Sequence, residues 1–258
     1  LRARKRFGQH FLTDGNVLAR IVSVLNPVAD DRLLEIGPGH GALTELLYPC
    51  VGTFSAIEID RDLIAMLRAR FPRLELINAD VLQVDMNEVL AGGNWRLVGN
   101  LPYNISSPLL LQLFQHLGAI RDMHFMFQRE LSQRLAAQPG SKSWGRLSVL
   151  AQYHCHVEPL FDVDPSAFSP PPLVHSQVIR MIPRRPELEV DVDVLKTVLR
   201  TAFSSRRKRL SNALKLFALD WDRLPVTEDQ RPDQLSVADY VQIARMVANA
   251  GTDTAAQD

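Results

Sequence analysis

The chain has 258 residues, 46% of them hydrophobic, enough for one main core and a second, smaller one. Its 29 Lys and Arg balance 29 Asp and Glu, so no global charge announces a polyanionic partner and any such signal must be local. Two cysteines, Cys50 and Cys155, are too few for a disulfide framework or a structural zinc site, no run approaches the roughly 18 apolar residues of a membrane span, and the basic N-terminus lacks the apolar stretch of a signal peptide; a cytoplasmic protein with no metal and no membrane partner is expected.

Residues 1–10 contain Arg2, Arg4, Lys5 and Arg6 and no acid, a local footprint for phosphates. The first strand is expected over Arg32–Ile36, ending in Gly37-Pro38-Gly39-His40-Gly41, with a helix over Ala42–Tyr48. Glycines at that turn, Gly37 and Gly39 among them, permit a tight bend and let a ligand approach the backbone. Thr53–Ile59 reads as a second strand, followed by a helix over Asp62–Arg70. Glu58, at the end of that strand, stands where a carboxylate grips a ribose diol. Leu74–Asn78 is a third strand, after which Asp80 is placed to accept from an adenine amino group. An adenosine-containing cofactor laid across the strand ends follows. With Ala42 the loop also satisfies the relaxed dinucleotide fingerprint, so NAD is a rival reading. Pro38 counts against it, being stiff and lacking the N–H a pyrophosphate needs. S-adenosylmethionine has a ribose and an adenine but no phosphates, and suits all three positions.

Trp95–Gly99 reads as a buried fourth strand, and Ser106-Ser107-Pro108 as a helix start. Between them lie Asn100, Leu101, Pro102 and Tyr103, at the strand edge where open α/β sheets carry their chemistry. The Asn100 amide oxygen and the Leu101 carbonyl can hold both hydrogens of a planar amino group, Pro102 stiffens the turn, and Tyr103 can stack on the base that carries it. The NAD reading leaves these residues idle. Met123–Gln128 is a fifth strand with a helix on either side. Leu147–Val163 and Val174–Pro183 read as the last two strands, joined by Phe168-Ser169-Pro170-Pro171-Pro172, whose prolines exclude helix and ladder pairing. His154-Cys155-His156 is not read as a metal site, since adjacent strand residues face opposite ways.

After Pro183 the pattern loses its strands. A linker, Arg184–Glu187, leads to helical patterns over Val192–Phe203, Arg206–Phe217 and Ser236–Ala250, with a polar 251–258 expected to fray. The boundary is placed at residues 186 and 187, giving a main α/β domain over 1–186 and a helical domain over 187–258. Residues 200–215 hold Arg200, Arg206, Arg207, Lys208, Arg209 and Lys215 without an acid, a second footprint for a nucleic-acid backbone.

The strings Lys5–Leu12, Glu35–Gly41, Asn100–Pro108 and Phe168–Pro172, in this order, resemble the KsgA family of small-subunit ribosomal RNA adenine dimethyltransferases. The resemblance spans nearly the whole chain; Asn100–Pro108 is specific, the glycine loop is not. It implies an α/β fold, a Rossmann-like class I S-adenosylmethionine-dependent methyltransferase domain with a small C-terminal all-α domain that contributes to rRNA binding. It implies dimethylation at N6 of two adjacent adenosines near the 3′ end of 16S rRNA, S-adenosylhomocysteine as product, and the 30S subunit as partner of a monomeric enzyme. Carried over by position, His10, Leu12, Gly37, Glu58, Asp80 and Asn100 contact the cofactor, although position 10 is Asn in some members. Phe168 is expected to cover the second face of the base, and Arg4, Lys5, Arg6, Arg206, Arg207 and Lys208 to meet RNA phosphates. Methylation of large-subunit rRNA or DNA adenine, or an RNA-binding factor that lost catalysis, are the alternatives; Asn100 and Tyr103, both intact, speak against the last.

Overall fold

The computed structural model describes residues 10–255, with side chains as far as Ala250. Arg4, Lys5 and Arg6, expected to contact RNA, lie outside the described residues. Two compact units emerge, one comprising the chain to Ser132 plus Val157–Pro183, the other Gln133–His156 plus Arg184 onward.

The first unit begins with a two-residue strand, β1 (Phe11–Leu12), and helix α1 (Gly15–Leu25). The Asp14 carboxylate caps α1 by accepting from the N–H groups of Asn16 and Val17, and Leu18, Ile21 and Leu25 bury its inner face. Then follow β2 (Arg32–Ile36), α2 (Ala42–Leu47), β3 (Thr53–Glu58), α3 (Arg61–Arg70), β4 (Glu75–Asn78), α4 (Met86–Val89), β5 (Trp95–Asn100), α5 (Ser106–Leu113), β6 (Ile120–Gln128) and α6 (Arg129–Leu135). Beyond α7 (Arg146–His154) come β7 (Cys155–Val163), β8 (Phe168–Ser169) and β9 (Ser176–Pro183). The main sheet runs β4-β3-β2-β5-β6-β9-β7, parallel through its first five strands, with β9 antiparallel to β6. The sheet is therefore mixed rather than all parallel. A dinucleotide-binding sheet continues with parallel strands, so the antiparallel β9 beside β6 departs from that plan.

Residues paired across strands share a face. One face carries Leu33, Arg96 and Asp122 in one row and Glu35, Val98 and His124 in the next, toward the strands' C-terminal ends. The first row holds a buried charge cluster. The Arg96 guanidinium donates to Asp122 at 2.9–3.2 Å, to Asp31 at 2.8 Å and to the Leu25 carbonyl at the end of α1 at 2.7 Å. Arg121 binds the other Asp31 oxygen at 2.8 Å. Burial alone would raise the Asp122 carboxyl, but neighbouring His124 and the bonds and charge of Arg96 outweigh it and bring it from 3.8 down to about 2.

The second unit is helical: α7, α8 (Val192–Ser204), α9 (Leu210–Ala213) and α10 (Val237–Ala255). Leu195, Val198, Leu199 and Ala202 form the buried stripe of α8, which packs against α7 and α10. The expected boundary thus misses residues 133–156. Leu147–His154 is helix, not strand, because Val149, Leu150, Ala151 and Tyr153 are all buried and the apolar run imitates a buried strand. The expected helix over Arg206–Phe217 is also interrupted. Arg206 turns its guanidinium to the Ser141 and Lys142 carbonyls, at 3.0 and 2.9 Å, and helix resumes only at Leu210. Among the described residues no helix is long and apolar enough to cross a membrane.

Removing one member of a buried ion cluster leaves the others uncompensated. Arg96→Ala should cost about 3–5 kcal/mol in urea unfolding. Asp31 and Asp122 both have lowered carboxyl pKa values, so their stabilisation is present above pH 4 and lost as pH falls toward 2. Unfolding titrations across that window check the sign.

Candidate active site

The C-terminal ends of β2, β3 and β5 open into a cavity of about 310 Å³. Nearly every expected cofactor and base contact lines it: His10, Leu12, Gly37, Gly39, Glu58, Asp80, Asn100, Leu101, Pro102 and Tyr103. All belong to the first unit.

The glycine loop is shaped by its backbone. Gly39 sits at φ +57°, and a Cβ there would lie 2.9 Å from the Phe11 ring. Its N–H donates to Glu58 Oε2 at 3.1 Å, while the Asp60 N–H donates to Oε1 at 2.9 Å. Glu58, 4% exposed, therefore fixes the loop while each oxygen keeps a second lone pair for a ligand hydroxyl. Burial raises its carboxyl, as does the charge of Asp60, against the backbone N–H groups of Asp60, Gly39 and Ile59. Asp80 spends one oxygen on the Leu82 N–H at 3.0 Å, which holds its half-buried carboxylate at the cavity edge.

Asn100 is oriented from a distance in sequence. Its side-chain nitrogen donates to the His10 carbonyl at 2.9 Å. A carbonyl only accepts, so the amide's Oδ1 is left as a free acceptor. His10 is itself held: Nδ1 is 2.7 Å from the Pro170 carbonyl and must carry the hydrogen. The His10 and Tyr103 rings are stacked at 6.1 Å, and the Tyr103 hydroxyl is 3.0 Å from Ser176 Oγ on β9. Ser106 Oγ donates to the Pro102 carbonyl at 3.1 Å and closes the turn into α5. A directional acceptor and a half-buried ring thus line the same cavity as the carboxylates of Glu58 and Asp80.

Phe168 does not join them. It is 4% exposed, absent from the cavity wall, and part of the hydrophobic core with Leu12, Met126 and Val178. The reason is β8: Phe168 pairs with Leu12 on β1, and the Ala167 carbonyl accepts from the Thr13 and Asp14 N–H groups, so the ring turns inward just before the prolines. The ladder excluded by Pro170–Pro172 thus forms one residue upstream of them.

In the helical unit, Arg206 also approaches Asp233 at 3.4 Å and Arg209 pairs with Asp229 at 2.7 Å. Arg206 is a cross-link rather than a free phosphate ligand. Arg207 is exposed, and exposed Lys208 and Lys215 line a groove with Thr201, Ser204, Ser205 and Asn212.

Among the cavity residues without an assigned role in the sequence, two are buried and ionisable, Glu35 and His124. Glu35, 2% exposed, accepts from Thr44 Oγ1 at 2.6 Å; burial and the nearby Glu58 push its carboxyl up to about 7. Its place next to the glycine loop was the available signal. His124, two residues beyond Asp122 on the same face of β6, reaches the cavity.

A family model described as ribosomal RNA adenine dimethylase matches residues 1–249. The protein from Nitrosococcus oceani named ribosomal RNA small subunit methyltransferase A is 51% identical over 253 residues, covering 95% of this chain and 96% of the relative. The protein of that name from Marinobacter nauticus is 45% identical over 256 residues, covering 96% and 93%. Among solved structures, a dimethyladenosine transferase from Plasmodium falciparum superposes with a TM-score of 0.82 at 25% identity, covering 94% and 98%. A 23S rRNA methyltransferase shares the fold at a TM-score of 0.71 and 22% identity, covering 92% and 99%.

Gly39→Ala should destabilise by about 1–2 kcal/mol, the cost of a left-handed non-glycine residue, plus whatever the Phe11 contact adds. Gly15→Ala, whose Cβ meets nothing within 4 Å, is the control and should not destabilise. Thermal unfolding of the two variants separates them.

Proposed function

The chain belongs to the ribosomal RNA adenine dimethylase family, and from that premise we propose that it dimethylates N6 of two adjacent adenosines near the 3′ end of small-subunit rRNA, using S-adenosylmethionine. The observation that carries the reading is the Asn100 amide, whose nitrogen is tied to His10 so that its oxygen is presented as an acceptor beside Tyr103.

The cavity fits the methyl donor. Asp80 offers a carboxylate oxygen for an adenine amino group, Glu58 retains acceptor capacity for a ribose diol, and Gly37 and Gly39 keep side chains out of the path. His10 and Leu12 also line it. When bound, S-adenosylmethionine supplies an electrophilic methyl group on a positively charged sulfur.

The protein's task is to make an adenine amino group attack. That nitrogen is a poor nucleophile because its lone pair is delocalised into the ring. Asn100 Oδ1 and the Leu101 carbonyl accept its two hydrogens, which favours a pyramidal nitrogen and frees the lone pair. Among the described residues the Leu101 carbonyl has no other partner. Tyr103 stacks on the purine, held by Ser176. Positive charge develops on nitrogen as the bond forms, so its proton becomes acidic and no strong base is needed. The rate comes from positioning and from acceptors fixed where charge appears. The target base must first leave its stack or be presented single-stranded. The second methylation forgoes one of the two hydrogen bonds.

Phosphate contacts fall to the N-terminal Arg4, Lys5 and Arg6 and to Arg207, Lys208 and Lys215 of the helical unit. They position RNA without reading sequence. The protein acts in the cytoplasm as a monomer on the 30S subunit, and residues 133–156 with 184–258 form its RNA-binding helical domain.

Asn100→Ala should keep much of its S-adenosylmethionine binding yet lose most transfer to purified small subunits that lack the modification. Label mapped to N6 of paired adenosines identifies the product, and near-normal turnover by the variant would sink the mechanism. Lys208→Glu with Lys215→Glu should flatten the dependence of RNA affinity on salt. Arg206→Glu should instead lower the melting temperature.

A further inference from the structure

Glu35 and Glu58 face one cavity as buried carboxyls, and among the described residues no cation lies within salt-bridge reach of either. A buried charge without a partner is costly. The buried cation on the same sheet face, Arg96, is already committed to Asp31 and Asp122. Glu35 has the Thr44 hydroxyl and nothing stronger.

A second observation lies across the floor. His124 occupies the same row as Glu35, with Val98 between them, so their strands are about 10 Å apart. Its side chain is fully buried and lines the cavity, and neither ring nitrogen has a hydrogen-bond partner. Nδ1 comes no closer than 3.6 Å to Asp122. Buried imidazole nitrogens are rarely left so. The wall thus presents two buried carboxyls and an imidazole whose one polar neighbour among the described residues is Asp122, and a ligand bearing positive charge suits the carboxyls.

We propose that Glu35 is the counter-charge for the cationic methyl donor, and that the cavity favours donor over product because demethylated sulfur leaves that carboxylate unbalanced. The inference rests on S-adenosylmethionine being the donor. It carries a sulfonium, an ammonium and a carboxylate; the product has lost the sulfonium charge. In the free protein below about pH 7 the Glu35 carboxyl keeps its proton, gives it to solvent as the donor enters, and takes one back once the neutral product remains. The titratable groups around it are Glu58 on β3, Asp60 beyond it, His40 on the loop, Asp80 and His124. Of these only Glu58 bears directly on its charge.

Calorimetric titration with S-adenosylmethionine and with S-adenosylhomocysteine tests this, on wild type and Glu35→Gln, in buffers of different ionisation enthalpy. Gln still accepts from Thr44, so the variant should fold. At pH 6.5 wild type should release roughly three-quarters of a proton more than the variant on binding S-adenosylmethionine. At pH 8 the preference for donor over product should fall about tenfold in the variant. Should the variant not fold, wild type alone must release more protons with donor than with product at pH 6.5. Equal proton counts and equal preferences in the two proteins overturn the inference and leave the donor assignment standing. Failure of wild type to bind either ligand overturns both.

Discussion

One guanidinium fixes the frame on which the cavity stands. Arg96 gathers Asp31 before β2, Asp122 on β6 and the carbonyl end of α1 around a buried residue of β5. A fork of five donors can satisfy that many acceptors at once, and a lysine could not. Arg96 and Asp122 lie one row below Val98 and His124, and two below Asn100 and Met126. Strand register at the charged row therefore sets the height of each group that lines the cavity, since a slip of one residue would turn them all to the other face.

Above that row the polar groups of the sheet face differ in what they still lack. Arg96, Asp31 and Asp122 satisfy one another. Glu58 is half satisfied, holding the glycine loop through two N–H bonds. Asn100 has its nitrogen committed and its oxygen free. Glu35 and His124 have the fewest partners of all. The charged row is saturated and the two rows beyond it, toward the C-terminal ends of the strands, are not, which is why ligand chemistry sits there.

Much of the fold was legible because buried parallel strands are continuous apolar runs ending in glycine, acid or amide. Arg32–Ile36, Thr53–Glu58 and Trp95–Asn100 were read nearly to the residue. The reading failed where tertiary packing overrode pattern. Leu147–His154 is buried around most of its circumference, and a helix so enclosed loses the period that identifies it. Arg206 belongs to a basic run, but its neighbours in space are Ser141, Lys142 and Asp233. Helix α1 went unread although Asp14 caps it, and its Leu18 and Ile21 help line the cavity.

The residue types and spacing of Glu58, Asp80 and Asn100–Tyr103 by themselves determined the class of chemistry, because a ribose, an adenine and an amino group each demand a particular acceptor at a strand end. Only the tertiary structure decided how those acceptors are aimed. His10 orients Asn100 across 90 residues and meets Pro170 across 160, while β8 turns Phe168 into the core. Glu35 and His124 joined the cavity the same way. A hydrogen bond or a burial depends on partners brought together by folding, and no local pattern records them.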